Sequence, residues 1–516
     1  MHAKKWFALI VLGSLIGFAG PFSKTAYSQQ QSAEARLEAK IAELEKRLRE
    51  VETTRPVAAS ASAPLVTPTA YGGTAAPKAN LASPVVTEGA GMPGREPAGV
   101  SSGGLLPSSG FPDGFIVHSA DNRHQLRLTG QIQADYRSYP MKGDSTDIDQ
   151  FVLRRARLGI EATLFDYYEF RFLPDWGSNR TVIQDAYMNV HYWDQFQFQV
   201  GKFKQPVSYE QLIQDRFVPT LERSLIDQIV PARDLGLMVH GQTLLNDHFD
   251  YALGIFNGTV NGDTDTNKLR DIAGRFAWRP FMNTGLPEGF HNLSVGISGS
   301  IGKETEPLSF NAGSSTPTTL RTPGNIPWLA FASTVRADGI RSRWTPEVAY
   351  FYHSFGIMAQ YMHMDQEMRS GIVTVVGGKT VLDPIVNIPF EGYHVTATYL
   401  LTGEERQTFS QFISPTRPFD PLHPLASPGA YELVARVSHL QVGDEIFAPG
   451  NLRLANPKTN SHAATELTLG YNWYLNSHVR MQFNWEHAWF QEPLTLGTNA
   501  IFRQTNAALI RFQIIF

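Results

Sequence analysis

The chain has 516 residues, a formal net charge of −4 and no cysteine, so a disulfide framework and thiolate metal ligation are both excluded. A charge this close to balance gives no reason to expect a nucleic-acid partner. At the N-terminus, two lysines precede an apolar run from Trp6 to Phe18, and small residues follow up to Ser28. This layout predicts a signal peptide over residues 1–28 that is cleaved after export.

Residues 29–52 are predicted to form a helix whose apolar residues are spaced alternately four and three positions apart. That spacing is the core seam of a coiled coil, and its core positions are Leu37, Ile41, Leu44, Leu48 and Val51. A seam this short is unstable in isolation, so we expect several copies to associate; an amphipathic helix docked on a neighbouring surface is the alternative. Residues 53–112 are rich in Ala, Pro, Ser, Thr and Gly and predict a disordered linker.

Residues 113–516 contain one segment after another in which apolar and polar residues alternate, as they do in β-strands. The last of these segments has one apolar face, formed by Ile510, Phe512, Ile514 and Phe516, and one mixed face. Alternation of this kind fits a transmembrane β-barrel with apolar side chains toward lipid and polar side chains toward the lumen. A soluble sandwich would show a similar pattern, but the signal peptide, the terminal phenylalanine and the aromatic residues at strand ends favour the barrel.

No segment after the signal peptide approaches the ~18 apolar residues of a membrane-spanning helix. We therefore predict an all-β protein, a transmembrane antiparallel barrel of about 16 strands. The segment 328–336 is assigned to a long external loop because counting it as a strand would make the total odd. The short connections are predicted to be periplasmic and lie at 165–167, 194–195 and 476–477. The longer connections are predicted to be external and lie at 140–150, 303–327 and 412–428.

Alternation stops between residues 205 and 234, where three prolines interrupt a segment that is too apolar for a solvated loop. We predict that this segment folds into the barrel, packs its apolar side against the inner wall and narrows the pore. A loop lying over the mouth, or contacting another subunit, is the alternative.

Short motifs spread in order over the predicted barrel carry a resemblance to a known family. They lie at 128–136, 153–158, 201–203, 221–225, 399–404, 471–474 and 511–513, followed by Phe516. Together they resemble the phosphate-selective porin O/P family, whose members are trimeric sixteen-stranded anion channels. The resemblance implies a homotrimer in outer-membrane lipid that takes up small anions such as phosphate passively. Separately, a closing strand that ends in Phe516 resembles the signal read by the barrel-assembly machinery, which implies that Phe516 is a recognition residue.

The candidate selectivity residues are basic side chains predicted to line the pore. They are Arg154, Arg155, Arg157, Lys202, Arg216, Arg223, Arg233, Arg341 and Arg343. The resemblance places Arg223 on the constriction arginine of the family, and Arg154 and Arg155 on a paired arginine of the second strand. Arginine suits this role because its planar fork pairs the oxygens of phosphate.

Two positions depart from the family pattern, because Gln131 replaces a first-strand arginine and Gln211 replaces the lysine of the constriction loop. Fewer cations predict a weaker anion preference. Inward arginines could also pair with carboxylates across the lumen, and the available partners are Glu161, Glu169, Asp175 and Asp185. Each arginine therefore has two interpretations, as a selectivity residue or as a wall contact.

The sequence contains no local catalytic motif, and we predict a channel, not an enzyme, with no catalytic residues, no metal ligands and no cofactor. The predicted location is the outer membrane of a Gram-negative type of cell, with residues 29–112 in the periplasm. The alternative function is a weakly selective general diffusion porin. In that interpretation the coiled coil and linker tether the outer membrane to the cell wall.

Overall fold

The computed structural model describes residues 107–108, 115–139, 149–259, 269–305, 307–310, 318–376, 379–497 and 500–516. The predicted signal peptide, the coiled-coil positions from Leu37 to Val51 and nearly all of the predicted linker lie outside these residues.

An antiparallel sheet of eighteen strands contains sixteen barrel strands and two short strands that precede them. Each barrel strand pairs with its neighbour in sequence, and the last strand pairs back with the first, from Ala508↔Ser138 to Ile515↔Gln131, which closes the barrel. The barrel strands are β1 Gln125–Ser138, β2 Gln150–Leu164, β3 Tyr168–Asp175, β4 Val182–Trp193, β5 Phe196–Lys204, β6 Arg233–Thr243, β7 Phe249–Phe256, β8 Asp271–Trp278, β9 Leu293–Glu304, β10 Arg336–Tyr352, β11 Phe355–Arg369, β12 Val386–Leu400, β13 Ala430–Val442, β14 Ala463–Tyr474, β15 Val479–Leu496 and β16 Ala500–Ile515. The predicted all-β barrel and its strand count are confirmed.

The remaining elements are short. The two preceding strands are Pro107–Ser108 and Phe115–His118, and two loop hairpins are formed by Thr319–Arg321 with Pro327–Ala330 and by Val373–Val376 with Lys379–Leu382. Single helical turns lie at Tyr209–Leu212, Leu225–Gln228, Leu244–Asp247, Glu288–Phe290, Asp444–Phe447 and Gly450–Leu452. In the part of the chain that the structure describes, no helix has the length and apolar character needed to cross a membrane.

The two faces of β16 are as different as its sequence pattern predicts. Phe512 on the outer face is 47% exposed, whereas Arg511 beside it on the inner face is 1% exposed. The chain ends against β1, where Phe516 and Gly130 exchange backbone hydrogen bonds of 3.1 and 2.7 Å. A Cβ atom on Gly130 would lie 2.1 Å from the Phe516 ring, so only glycine admits the ring at this position. The ring also contacts Phe115 edge-on, with centroids 5.9 Å apart.

Because successive strands run in opposite directions, their connections alternate between two ends of the barrel. We call the end that carries Phe516 the C-terminal end, and the other the far end. The connection 401–429 follows β12 and lies at the C-terminal end with the short turns 165–167 and 194–195. The prediction that 412–428 shares a side with 140–150 was therefore wrong: loop length misled, while strand direction decides the end.

Two segments from the far end lie inside the barrel. We call residues 205–232 the crossing loop, and the hairpin Thr319–Arg321/Pro327–Ala330 the lumenal hairpin. Both contribute to one buried apolar cluster with residues of the inner wall, including Leu225 and Trp328. The segment 328–336 adds no strand of its own to the barrel, as predicted, and its last residue, Arg336, begins β10. The prediction that the segment belongs to an external loop was wrong for 328–330, because these residues belong to the lumenal hairpin and Trp328 and Leu329 are buried inside the barrel.

Candidate functional site

The crossing loop leaves the wall at β5 and is first fastened to strands on the opposite side of the barrel. The backbone N–H of Tyr209 donates to Glu347 on β10 at 2.8 Å, and that of Glu210 donates to Gln360 on β11 at 2.8 Å. These bonds satisfy the first amides of the helical turn Tyr209–Leu212, which have no partner within the turn.

The middle of the crossing loop is held by the last strands of the barrel. Arg480 on β15 and Gln513 on β16 donate to the carbonyl of Arg216 at 3.1 and 3.0 Å. Asn472 on β14 donates to the carbonyl of Pro219 at 2.8 Å. The loop therefore spans the lumen from one wall to the other.

After its middle part, the loop rests on an apolar region of the wall. Leu225 and Ile226 are fully buried, and the turn Leu225–Gln228 contacts β12, β13 and β14. Ile226 lies over Gly392 of β12, where a Cβ atom would come within 2.6 Å of Ile226 Cγ2. The wall residues of this cluster include Met362, Met364, Met368, Ile388, Phe390 and Leu440.

On β2, a bulge lets two consecutive arginines point into the lumen. Gln133 of β1 pairs with Arg155, but the next residue, Ala134, pairs with Leu153, so Arg154 is the extra residue. Simple alternation would place only one of the two arginines inside, whereas a bulge redirects the second one. Both side chains reach carboxylates of the crossing loop.

Glu222 of the crossing loop is the acceptor for three arginines from three strands. Arg137 of β1, Arg154 of β2 and Arg511 of β16 approach its carboxylate at 2.8, 2.7 and 3.0 Å. Burial alone would raise the pKa of Glu222, but the guanidinium groups of Arg154, Arg155 and Arg511 lower it well below its usual range. The loop is therefore held to this wall by a carboxylate that stays charged.

Asp215 forms a second junction between the loop and the wall. Its carboxylate receives Arg155 at 3.4 Å, Arg157 at 2.5 Å and Arg223 at 2.6 Å. The neighbouring guanidinium groups outweigh burial and hold the pKa of Asp215 well below its usual range. Arg223 also donates to the carbonyls of Glu210 and Ile213 at 3.1 and 2.7 Å, so it braces the loop internally.

Beside Asp215, a recess of about 30 Å³ opens between β1, β2, β3, β6 and the crossing loop. Four arginines from β2, β3, the loop and β6 line it: Arg157, Arg171, Arg216 and Arg233. Gln131, which replaces the first-strand arginine of the family pattern, lines the same recess. We call it the arginine recess.

The arginines of the recess also have carboxylate partners on the wall. Arg157 contacts Asp175 at 2.7 Å, and Arg233 contacts Asp185 at 2.7 Å. Arg171 contacts Glu161 and Asp185, at 3.0 and 3.2 Å. The fourth predicted wall partner, Glu169, pairs instead with His191 at 3.1 Å.

The other predicted site residues lie elsewhere. Arg341 on β10 pairs with Asp271 at 2.8 Å, and Arg343 donates to the carbonyl of Ile229 at 2.9 Å. Lys202 is buried on β5. The structure thus brings together Arg154, Arg155, Arg157, Arg216, Arg223 and Arg233, whereas Arg343 meets the crossing loop at Ile229 and Arg341 pairs with the wall.

Sequence reasoning missed the residues that complete the junctions. Arg137 and Arg511 bind Glu222, and Lys204 donates to the carbonyls of Gln211 and Ile213 at 2.5 and 2.9 Å. Closure of the barrel is a signal that could have found Arg511. The first and last strands of a closed barrel must be neighbours, so the polar faces of β1 and β16 predict contacts between their side chains.

The barrel agrees with a comparison against protein families. The family model for phosphate-selective porins O and P matches residues 126–516. The chain belongs to this family. It is an outer-membrane porin, a channel-forming protein of the Gram-negative type of envelope. A search of curated proteins found no match.

A comparison with solved structures gave matches of low sequence identity. OmpT of Vibrio cholerae is 13% identical with a TM-score of 0.45, and the alignment covers 78% of this chain and 100% of that one. OmpF of Salmonella typhi in complex with daunomycin is 13% identical with a TM-score of 0.44, covering 77% and 99%. The channel DcaP of Acinetobacter baumannii is 10% identical with a TM-score of 0.42, covering 77% and 99%.

Proposed function

We propose that this porin conducts small anions such as phosphate passively, past a constriction formed by the crossing loop and the arginines of β2, β3 and β6. The observation that carries the proposal is the arginine recess, where guanidinium groups from four separate elements converge beside the loop. Arginine donors in fixed positions can replace part of the hydration shell of an anion. The proposed selectivity residues are Arg154, Arg155, Arg157, Lys202, Arg216, Arg223, Arg233, Arg341 and Arg343.

The wall pairs of the recess predict that the preference is modest. Arg157, Arg171 and Arg233 each already contact a carboxylate, and an entering anion must compete with it. We therefore expect weak binding of phosphate, consistent with Gln131 at the position of the first-strand arginine.

The test is single-channel recording of the purified protein in a planar bilayer under a KCl gradient, followed by titration with phosphate. We expect a reversal potential that favours chloride, and partial block by phosphate. Replacing Arg157 by Gln should reduce both effects. The matched control is Arg123→Gln, which removes an arginine from the exposed pair with Asp166 outside the lumen. Equal ion selectivity in the wild type and Arg157→Gln would contradict the proposal.

A second function is favoured by the same ion pairs, because a pore whose arginines are neutralised by the wall discriminates little between ions. In this alternative the protein is a general diffusion porin, and the predicted coiled coil and linker tether the outer membrane to the cell wall. Deleting residues 29–112 tests the tether, which predicts loss of envelope attachment, whereas conductance should survive the deletion under either proposal. The phosphate titration described above distinguishes the anion channel from the general diffusion porin.

We further propose that the protein assembles as a homotrimer and that the predicted coiled coil of residues 29–52 reinforces the trimer in the periplasm. The proposed partner in assembly is the barrel-assembly machinery, which would read Phe516 at the end of β16. Phe516→Ala should lower the yield of folded trimer in the membrane. The variant also loses the contacts of the ring with Gly130 and Phe115. A normal yield would argue against the recognition role.

A further inference from the structure

Four buried polar side chains near the far end of the barrel form a cluster apart from the arginine recess. Ser438 lies on β13, Glu466 on β14, Glu486 on β15 and Thr505 on β16, and each is 2% exposed or less. Ser438 pairs directly with Glu466, and both Glu466 and Thr505 pair with Ala488. We call these four side chains the oxygen pocket.

Most oxygen atoms of the oxygen pocket have no hydrogen-bond partner among the described residues. This holds for both carboxylate oxygens of Glu486, for Oε2 of Glu466, and for the hydroxyl oxygens of Ser438 and Thr505. Only Oε1 of Glu466 is satisfied, by Thr468 at 3.1 Å and Arg436 at 3.4 Å.

Arg436 lies 3.4 Å from Glu466, and the charges of Arg436 and Arg137 act on Glu486, but neither guanidinium donates a hydrogen bond to Glu486. Among the described residues, the second carboxylate is therefore left without a direct partner. A buried carboxylate loses its hydration and needs hydrogen bonds or a cation in exchange. Here two carboxylates on adjacent strands also repel each other. The unpartnered atoms of the oxygen pocket are all oxygens, which are the ligands preferred by hard cations such as Ca²⁺ and Mg²⁺.

We infer that Glu466 and Glu486 bind one hard divalent cation, with the hydroxyl groups of Ser438 and Thr505 holding water ligands of the ion. The two hydroxyls lie on the outer strands of the group, too far apart to ligate the same ion directly. Ca²⁺ fits best because it accepts uneven sets of oxygen ligands, whereas Mg²⁺ requires a nearly regular octahedron.

The lumenal hairpin closes the oxygen pocket from the inside. A Cβ atom on Gly324, in the turn of the hairpin, would lie 2.8 Å from Oε2 of Glu486 and 3.0 Å from the Cβ atom of Ala507. The hydroxyl of Tyr139 donates to the carbonyl of Gly324 at 2.8 Å and holds the turn in place. A bound cation removes the repulsion under this turn, so it stabilises the docked hairpin together with the wall.

The test uses the purified full-length protein, freed of divalent ions with a chelator. Ca²⁺ is titrated by calorimetry, and thermal unfolding is followed with and without Ca²⁺, because a ligand that binds only the folded state raises the Tm. We expect one site per chain, a higher Tm in Ca²⁺ and weaker binding of Mg²⁺. Equal affinity for Mg²⁺ would overturn the choice of Ca²⁺.

Glu486→Gln removes one charge and keeps the shape of the side chain. Changes outside the ligand shell of a metal cost about 10–100-fold in affinity, so the loss of a ligating carboxylate should cost at least tenfold. In chelator this variant should unfold at the same temperature as the wild type or higher, which shows that it folds. The matched control is Glu405→Gln, at an exposed glutamate of the C-terminal end, and it should bind Ca²⁺ normally.

Three outcomes would overturn the inference. The first is a wild-type Tm that does not respond to Ca²⁺, and the second is equal Ca²⁺ binding by the wild type and Glu486→Gln. The third is a wild-type Tm that rises on mild acidification but not with Ca²⁺, which would mean that the glutamates of the oxygen pocket bind protons and not a metal ion.

Discussion

On β1, β2 and β16 the inner wall meets the crossing loop through guanidinium groups, whereas the part of the wall on β11 to β13 that lies under Leu225 and Ile226 consists of methionine and other apolar side chains. Glu222 is held by three arginines on the first side. On the second side Leu225 and Ile226 are fully buried against the wall. The two contacts lie only a few residues apart in the loop, yet they depend on different forces.

The two sides differ in how they hold the crossing loop inside the pore. Charged contacts are directional and place the loop at a defined position, but they neutralise the same arginines that would attract anions. Apolar contacts are not directional and contribute stability roughly in proportion to the area buried. We therefore expect the charged side to set ion selectivity and the apolar side to set how firmly the loop is seated.

The largest effect is expected from Glu222→Gln, which removes the shared acceptor of Arg137, Arg154 and Arg511. Breaking a buried ion pair by removing one partner costs about 3–5 kcal/mol, so the free energy of unfolding should fall by that order. The released arginines should also shift the reversal potential further toward chloride. Denaturant unfolding and planar-bilayer recording measure the two effects, with Glu405→Gln as the control at an exposed glutamate. A stable variant with unchanged selectivity would mean that Glu222 does not neutralise the arginines.

Leu225→Ala tests the apolar side alone. Truncating a buried leucine costs about 2–5 kcal/mol through lost burial and the cavity left behind. Because no charge changes, the reversal potential should stay as in the wild type, while current fluctuations from a less firmly seated loop should increase. Leu422→Ala is the control, since that side chain is 82% exposed. A shift in ion selectivity would show that the two sides are not separable.

The barrel itself could be predicted from the sequence because its strands obey one simple rule. On β16 the exposed Phe512 and the buried Arg511 follow strict alternation. Because the outer face of the barrel contacts lipid and must be apolar, this alternation is evident in the sequence. The rule of polar residues inside fails on β11. There Met362, Met364 and Met368 face inward and are buried, because the crossing loop and the lumenal hairpin cover them.

The candidate site was only partly predictable, for three physical reasons. The bulge at Arg154 breaks the alternation that assigns faces, and a bulge has no clear local signal in the sequence. Arg511 lies 376 residues from Asp135, so only closure of the barrel brings these two residues together. Glu222, the shared partner of Arg511 and Arg137, lies in the crossing loop and reaches them only because that loop enters the barrel. The lumenal hairpin looks like an ordinary external loop, because its apolar residues, such as Leu320, Trp328 and Leu329, stand among prolines, threonines and a glycine and show no sustained alternation.

A smaller effect is expected from Arg223→Ala. This arginine lies on the family's constriction position, yet its bonds run to Asp215 and to carbonyls within the loop. Asp215 keeps Arg155 and Arg157 in the variant, so the loss should be about 1.5–3 kcal/mol, typical of hydrogen bonds to a charged group. We expect lower anion preference in bilayer recordings, because one positive charge leaves the constriction. A selectivity equal to that of the wild type would assign Arg223 to bracing the loop alone.

The smallest effect near neutral pH is expected from protonation of the carboxylates in the crossing loop. Their titration again distinguishes the charged side of the loop from the apolar side. The pKa values of Glu222 and Asp215 are lowered in the folded protein, so their contribution to stability is complete above the unfolded pKa of about 4. It is lost only as the pH falls below that value toward the lowered folded pKa. The apolar contacts of Leu225 do not titrate at all.

Thermal unfolding should therefore depend little on these groups between about pH 7 and pH 5, and should decline below about pH 4. Glu222→Gln lacks one of the two carboxylates and should show a shallower decline than the wild type. Leu225→Ala should decline in parallel with the wild type from a lower starting Tm, because it changes only the side of the loop that carries no charge. A steep loss of the wild-type Tm already above pH 5 that is absent in Glu222→Gln would contradict the lowered pKa of Glu222, and would mean that the arginines hold the loop less tightly than their distances indicate.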